Sequence, residues 1–304
     1  MFDRRAVLGG IAAMPYAASA TASATASPVA QVGAEPEGPW TKRGDIAVGG
    51  GRLHYAEMGE GEPLIVLHKL SGWIADWRHA APALAKRSRV IAFDMPGHGD
   101  SVMYGPAPYI QTVEQSAAML VSALDQMGID RYSIAGNSLG GIAGIVIAAL
   151  WPQRVRKLAI VSASLIGAMS RAQIAQQDVD RARMAEEAKR SGATFQNPQI
   201  KTFATMDPAV TREHEMGSDR AGAWARPSER GVGRVGVTDY LPRVQAPTLL
   251  VDADRGNYAK YGEVGMTLIP HARRVVIPGA GSFVHQEKPA EVAAAINQFL
   301  DNKA

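Results

Sequence analysis

Ile134-Ala135-Gly136-Asn137-Ser138-Leu139-Gly140-Gly141 sets a single serine between an apolar, strand-like run and a stretch of small residues that reads as a helix. Gly136 to Gly140 has the form Gly-x-Ser-x-Gly, the pattern of a sharp strand-to-helix turn that carries an exposed nucleophile. The spacing has a steric cause. Such a turn forces the serine backbone into a strained conformation, and side chains two positions to either side would collide, so Gly136 and Gly140 remove the collisions. The same turn leaves the Leu139 N–H at the start of a helix, where it points toward a developing oxyanion and gains from the helix dipole.

The flanking blocks extend this reading. Pro63-Leu64-Ile65-Val66-Leu67-His68 has the pattern of a buried strand and runs into Lys69-Leu70-Ser71-Gly72-Trp73. Arg89-Val90-Ile91-Ala92-Phe93-Asp94 is a second such strand, closed by Met95-Pro96-Gly97-His98-Gly99-Asp100-Ser101. Pro247-Thr248-Leu249-Leu250-Val251-Asp252 is a later one, and Pro278-Gly279-Ala280-Gly281-Ser282-Phe283-Val284-His285-Gln286-Glu287-Lys288-Pro289 precedes a final amphipathic helix. In this order the blocks resemble the α/β-hydrolase superfamily over about residues 44–304, in the branch of small esterases, lactonases and C–C bond hydrolases that carry a helical cap.

The periodicity supports an α/β fold. Apolar strands alternate with helices, which implies a mostly parallel central sheet covered on both faces. Gly44 to Val48 and Arg52 to Glu57 read as an opening antiparallel hairpin across Gly49-Gly50-Gly51. Helices are expected at Trp77 to Lys86, Gln111 to Met127 and Leu139 to Trp151, and strands at Lys157 to Ser162 and Arg274 to Ile277. Residues 165–243 are helix-forming and charged with no convincing strand, the expected cap, which leaves residues 44–164 and 244–304 for the hydrolase core.

The N-terminus has a different character. Asp3-Arg4-Arg5 opens a modestly apolar run that ends in Ala18-Ser19-Ala20, which resembles a twin-arginine export signal with a small-residue cleavage site over residues 1–20. Residues 21–43, rich at first in Ala, Ser, Thr, Gly and Pro, read as a flexible leader. The expectation is therefore an exported, periplasmic protein without a stable membrane anchor, since the apolar run is too short to span a bilayer. With no cysteine there is neither a disulfide framework nor a thiolate nucleophile. A net charge of +3, with Lys and Arg scattered among acids, lacks the footprint of a nucleic-acid binder. No His/Asp/Glu spacing suggests a metal and no cofactor motif is present, so the expected partner is a small-molecule substrate, with the oligomeric state left open.

A serine hydroxyl needs a base within hydrogen-bond reach and a group that orients the base. The resemblance implies the order serine, acid, histidine, and His285 is the base it offers; His98, in the Pro-Gly-His-Gly turn, is implied to be structural. The acid departs from the family pattern: about five residues after the Pro247–Val251 strand the resemblance expects a carboxylate, and Gly256 stands there. A loop one or two residues shorter brings Asp254 into place, with Asp252 as the fallback. The other position used in the superfamily holds Ser162 and Ala163. By position, the Leu70 N–H is the second oxyanion donor beside Leu139. Lys69 replaces a glycine common in relatives, and reads either as a solvated loop residue or as a group at the pocket mouth for an anionic substrate. Trp73, Trp77, Phe283 and Trp224 are candidates for the pocket wall, Trp73 and Phe283 foremost. The resemblance implies hydrolysis of a carboxylic ester or lactone through an acyl-enzyme on Ser138. A C–C bond hydrolase with the same triad, or a non-catalytic ligand-binding protein on this scaffold, are the alternatives. Dehalogenase and epoxide hydrolase relatives carry aspartate where Ser138 stands.

Overall fold

The computed structural model of the chain describes residues 38–191 and 208–302; the expected export signal and the leader up to residue 37 lie outside the described residues. Nine strands build one sheet: β1 (Lys42–Val48), β2 (Gly51–Met58), β3 (Glu62–Leu67), β4 (Ser88–Phe93), β5 (Val102–Met103), β6 (Tyr132–Asn137), β7 (Val155–Val161), β8 (Thr248–Ala253) and β9 (Arg273–Ile277). Their order is β1-β2-β4-β3-β6-β7-β8-β9, with β5 added to β2. The hairpin expected at the start is present, with Val48 opposite Gly51 across its turn and β1 starting at Lys42, inside the leader read from sequence. β2 also runs antiparallel to β4, and from β4 through β9 every pairing is parallel. β6 lies at the centre, between β3 and β7, and all six of its residues are buried. A strand covered on both faces has no reason to alternate polar with apolar residues, which is why Ile134 and Ala135 are followed directly by the elbow.

Helices α1 (Ala81–Leu84), α2 (Val113–Gln126), α3 (Leu139–Leu150), α8 (Gly262–Leu268), α9 (Val284–Glu287) and α10 (Pro289–Asp301) accompany the strands, while α4 (Arg171–Ser191), α5 (Pro208–Ala221), α6 (Ala225–Arg234) and α7 (Val237–Tyr240) fill the interval between β7 and β8. No strand falls in that interval among the described residues. α2 begins at a capping box: the Thr112 hydroxyl accepts from the Gln115 N–H, and the Gln115 side chain accepts from the Thr112 N–H. α3 buries every residue from Leu139 to Ala148, because both its faces are covered. Ile142, Ile145, Val146 and Ile147 are each 0–1 % exposed, and burial of each such side chain contributes roughly 1.5–3 kcal/mol.

The helix expected over Trp77 to Lys86 is not continuous. The chain makes a single tight turn at Ile74–Trp77 and restarts as the four-residue α1. Pro82 lies in the first turn of α1, where its missing N–H costs nothing but where its ring prevents a helix from running through. No helix among the described residues is long and apolar enough to cross a membrane.

Candidate active site

The end of β6 delivers Ser138 with φ 50° and ψ −113°, a conformation that L-residues adopt only under constraint. The constraint is visible in its neighbours. The Ser138 N–H donates to the Val161 carbonyl (3.2 Å), and the Asn137 side-chain amide donates to the same carbonyl (2.8 Å), pinning the elbow to the end of β7. A Cβ on Gly136 would lie 2.3 Å from the Gly140 carbonyl, and a Cβ on Gly140 would lie 2.3 Å from the Leu67 carbonyl oxygen. Both glycines are therefore required for close backbone approach, as the spacing implies. Leu139 opens α3, where its N–H has no carbonyl one turn earlier to accept from it. Leu70, from the segment after β3, and Ser138 line one pocket of about 300 Å³, with Ile166, Met169, Tyr258 and Tyr261 among its other walls. That volume is at the small end of ligand sites.

The relay expected beside Ser138 is not joined to it. His285 sits in α9, fully buried, its ring 4.9 Å from the Trp77 ring, and neither ring nitrogen has a hydrogen-bond partner among the described residues. Burial pushes its imidazole down to about 3, against the pull of Asp76. No hydrogen bond joins His285 to Ser138 among the described residues, and the imidazole lies beside Trp77. Asp254 accepts from the Gly279 N–H (2.8 Å), tying the end of β8 to the turn after β9, and it is exposed. Asp252 pairs with Arg274 of the neighbouring strand (2.7 Å), and burial raises its carboxyl against that pairing. Neither aspartate orients an imidazole. At the position the resemblance assigns to the acid, a Cβ on Gly256 would stand 3.1 Å from the Ser282 backbone nitrogen. Two loops close on each other at that point, with the Ser282 hydroxyl accepting from the Asn257 N–H (3.0 Å) and the Ser282 carbonyl accepting from the Asn137 amide (3.3 Å).

Instead, the Ser138 hydroxyl meets a phenol: its Oγ is 3.2 Å from the Tyr258 hydroxyl. Tyr258 was invisible to sequence reasoning, since a tyrosine four residues beyond Asp254 carries no motif. The histidine at the end of β3 is occupied as well. The Met95 N–H donates to His68 Nε2 (2.9 Å), so His68 carries its proton on Nδ1 and donates it to the Lys69 carbonyl (2.6 Å). Burial holds both His68 and His98 down at about 3, so both are neutral structural groups.

The pocket-wall expectations are also revised. Lys69 is neither solvated nor at the pocket mouth: it is buried, its ammonium bonds both oxygens of buried Asp76 (3.2 and 3.3 Å), and it lies 5.4 Å over the Phe283 ring. Trp73 is buried under the Arg220 guanidinium, Phe283 packs edge-on to His214, Trp77 donates to the Leu67 carbonyl, and Trp224 covers Gly97. None of these aromatics lines the pocket that holds Ser138. A metal has one geometric opening among the described residues, the juxtaposed His54, Asp94 and Asp100, but the groups are engaged. His54 bonds Asp45, Asp94 accepts from the Ile74 and Asp100 N–H groups, and Asp100 pairs with Arg220.

A model of the alpha/beta hydrolase fold family matches residues 62–289, most of the chain. The chain belongs to the α/β-hydrolase fold family. This hydrolase-family chain is 28% identical over 280 residues to a dihydrolipoyllysine-residue acetyltransferase component of an acetoin cleaving system from Pseudomonas putida, covering 90% of this chain and 72% of that one. It is 28% identical over 290 residues to 2-hydroxy-6-oxo-6-(2'-aminophenyl)hexa-2,4-dienoic acid hydrolase from Metapseudomonas resinovorans, covering 90% and 96%. Among solved structures, a thermophilic esterase from Thermogutta terrifontis superposes with a TM-score of 0.72 at 24% identity, over 85% of this chain and 98% of that one.

Proposed function

We propose that the protein is a hydrolase of a small carboxylic ester or lactone, acting through an acyl-enzyme on Ser138. The observation that carries this reading is the strained Ser138 elbow at the wall of a pocket lined by both apolar and polar side chains, since nothing in the packing of β6 and α3 needs a serine at φ 50°. In the proposed step, the Ser138 oxygen attacks the carbonyl carbon, and the electron pair moves onto the carbonyl oxygen. The Leu139 and Leu70 N–H groups hold that oxygen; removal of one such donor typically costs about 10²–10³ in rate. Collapse expels the alcohol, and water then releases the acid. We read the α4–α7 segment as the cap that closes the pocket, because Gln177 and Arg181 of α4 and Glu229 and Val232 of α6 reach the same space as Ser138. Export by the N-terminal signal belongs to the same proposal and rests on Arg4-Arg5 and the run that ends at Ala20.

Cleavage of a C–C bond between carbonyl groups is the second reading, favoured by the extent of likeness to the Metapseudomonas resinovorans hydrolase. A panel of p-nitrophenyl esters, lactones and vinylogous diketones, with Ser138→Ala as control, tests both. Ester or lactone turnover abolished by Ser138→Ala supports the first reading; diketone turnover alone supports the second. No turnover of any member moves the assignment to a ligand-binding protein.

A further inference from the structure

We propose that the pocket at Ser138 takes a substrate that carries a carboxylate, bound by the Lys260 ammonium, with the Arg181 guanidinium as the second positive group of the lining. The inference rests on the Ser138 hydrolase reading above and deepens it by naming the substrate class: an ester or lactone whose acyl or alcohol part bears a carboxylate. Three charged side chains line the pocket among the described residues, Arg181, Glu229 and Lys260, and two of them are positive. No acid pairs with Lys260 among the described residues. The cation that the sequence suggested at Lys69 is thus supplied from the loop after β8, while Lys69 itself is neutralised by Asp76 in the core.

The one acid of the lining does not offset these cations. Glu229 is shared between Arg181 and Arg226, and Arg226 bonds Asp178 as well. Asp178 is in turn held by Arg230 (3.1 Å). Three guanidinium groups therefore face two carboxylates in this network, which leaves it positive even before Lys260 is counted, and a cleft lined by an excess of one sign draws in ligands of the other.

The place of Lys260 is fixed by the turn that carries it. The Tyr261 N–H donates to the Tyr258 carbonyl (2.9 Å), and the Arg274 guanidinium donates to the Ala259 carbonyl (2.9 Å). Two residues before Lys260, the Tyr258 hydroxyl stands 3.2 Å from Ser138 Oγ, so the turn ties the cation to the nucleophile. The Lys260 ammonium lies 5.0 Å over the ring of Tyr261, itself a wall of the pocket, so the side chain folds along that wall. Lys260 is exposed, which puts it at the open side and spares it any cost of burying its charge. Leu70, Ile166, Met169 and Val232 make the apolar part of the lining. A carbonyl carbon at Ser138 and a carboxylate at Lys260 are then joined by a short apolar spacer, as a volume of about 300 Å³ requires. The ammonium–carboxylate hydrogen bond is charge-assisted, and at an exposed position it is screened by salt.

The test compares monoethyl glutarate with its neutral isostere, the ethyl ester of glutaric acid monoamide. Binding of each to full-length Ser138→Ala protein is measured by titration calorimetry, and ethanol release from each is measured with the wild type. The acid is expected to bind about tenfold more tightly than the amide at low salt, a preference that shrinks as sodium chloride is raised. Lys260→Met in the same background should bring the two affinities within about threefold of each other, with near-UV circular dichroism to confirm the fold. In the wild type the same preference should appear in KM for ethanol release. Equal binding of the two compounds, binding of neither, or a preference that survives Lys260→Met overturns the proposal. A preference seen by calorimetry without ethanol release from either compound refutes the hydrolase reading and leaves the carboxylate site standing, so the two failures are told apart.

Discussion

The two halves of this site were built under different constraints. The nucleophile half is complete: glycines at 136 and 140 admit backbone contacts that a Cβ would block, and Ser138 is left strained at the wall of the pocket. In the relay half the expected residues make other contacts: His285 is buried, Asp252 and Asp254 are bonded to their own sheet edge, and the Gly256 and Ser282 loops close on each other. The difference is one of range. The elbow's need for glycine is written in a five-residue spacing, whereas a relay needs side chains from three separate loops to come together.

The largest effect is expected from breaking the intact half. Gly140→Val places side-chain carbon on the Leu67 and His68 carbonyls; activity should vanish and urea denaturation should show a loss of about 3 kcal/mol or more, beyond ordinary overpacking. Wild-type-like stability in this variant would show that the elbow is slack. Next, Ile145→Ala, in the fully buried α3 behind the nucleophile, should cost about 2–5 kcal/mol by the same measurement.

The buried histidines supply a pH test. His68, His98 and His285 titrate near 3 in the fold, well below the unperturbed value of about 6.5, so between these values the unfolded chain binds protons that the folded chain refuses. Their contribution is present above about 6.5 and is lost as pH falls toward 3. Asp94, raised to about 7 by burial, opposes one of them, because it is protonated in the fold where the unfolded chain is ionised. The balance predicts a stability loss of about 2 kcal/mol from pH 7 to 5.5, and a smaller slope in His285→Gln. A flat stability profile over that range would mean that these imidazoles are solvated.

The smallest effect sharpens the comparison most. Asp254→Asn should change kcat by less than about threefold, since the side chain holds the Gly279 N–H and not an imidazole. A loss of about 10⁴, as when a true triad loses its carboxylate, would show that the loops rearrange on substrate binding and restore the relay.

The fold was legible because its signals are local and repeated. Apolar runs such as Leu64–Leu67 and Leu249–Val251 became parallel strands, and the helix read over Gln111 to Met127 is α2. The elbow was legible for the same reason. Tyr258 was not, because its meeting with Ser138 depends on the path of the loop after β8, and no residue in that loop announces its direction. Lys69 misled for a related reason: its partner Asp76 is only seven residues away, but the tight turn at Ile74–Trp77 that brings them together has no signature in the sequence.

The most direct test of the central claim is labelling with a fluorophosphonate, followed by intact mass and peptide mapping of wild type and Ser138→Ala. The account predicts one adduct, on Ser138, absent from the variant. No adduct on the wild type, or an adduct that survives Ser138→Ala, would contradict it.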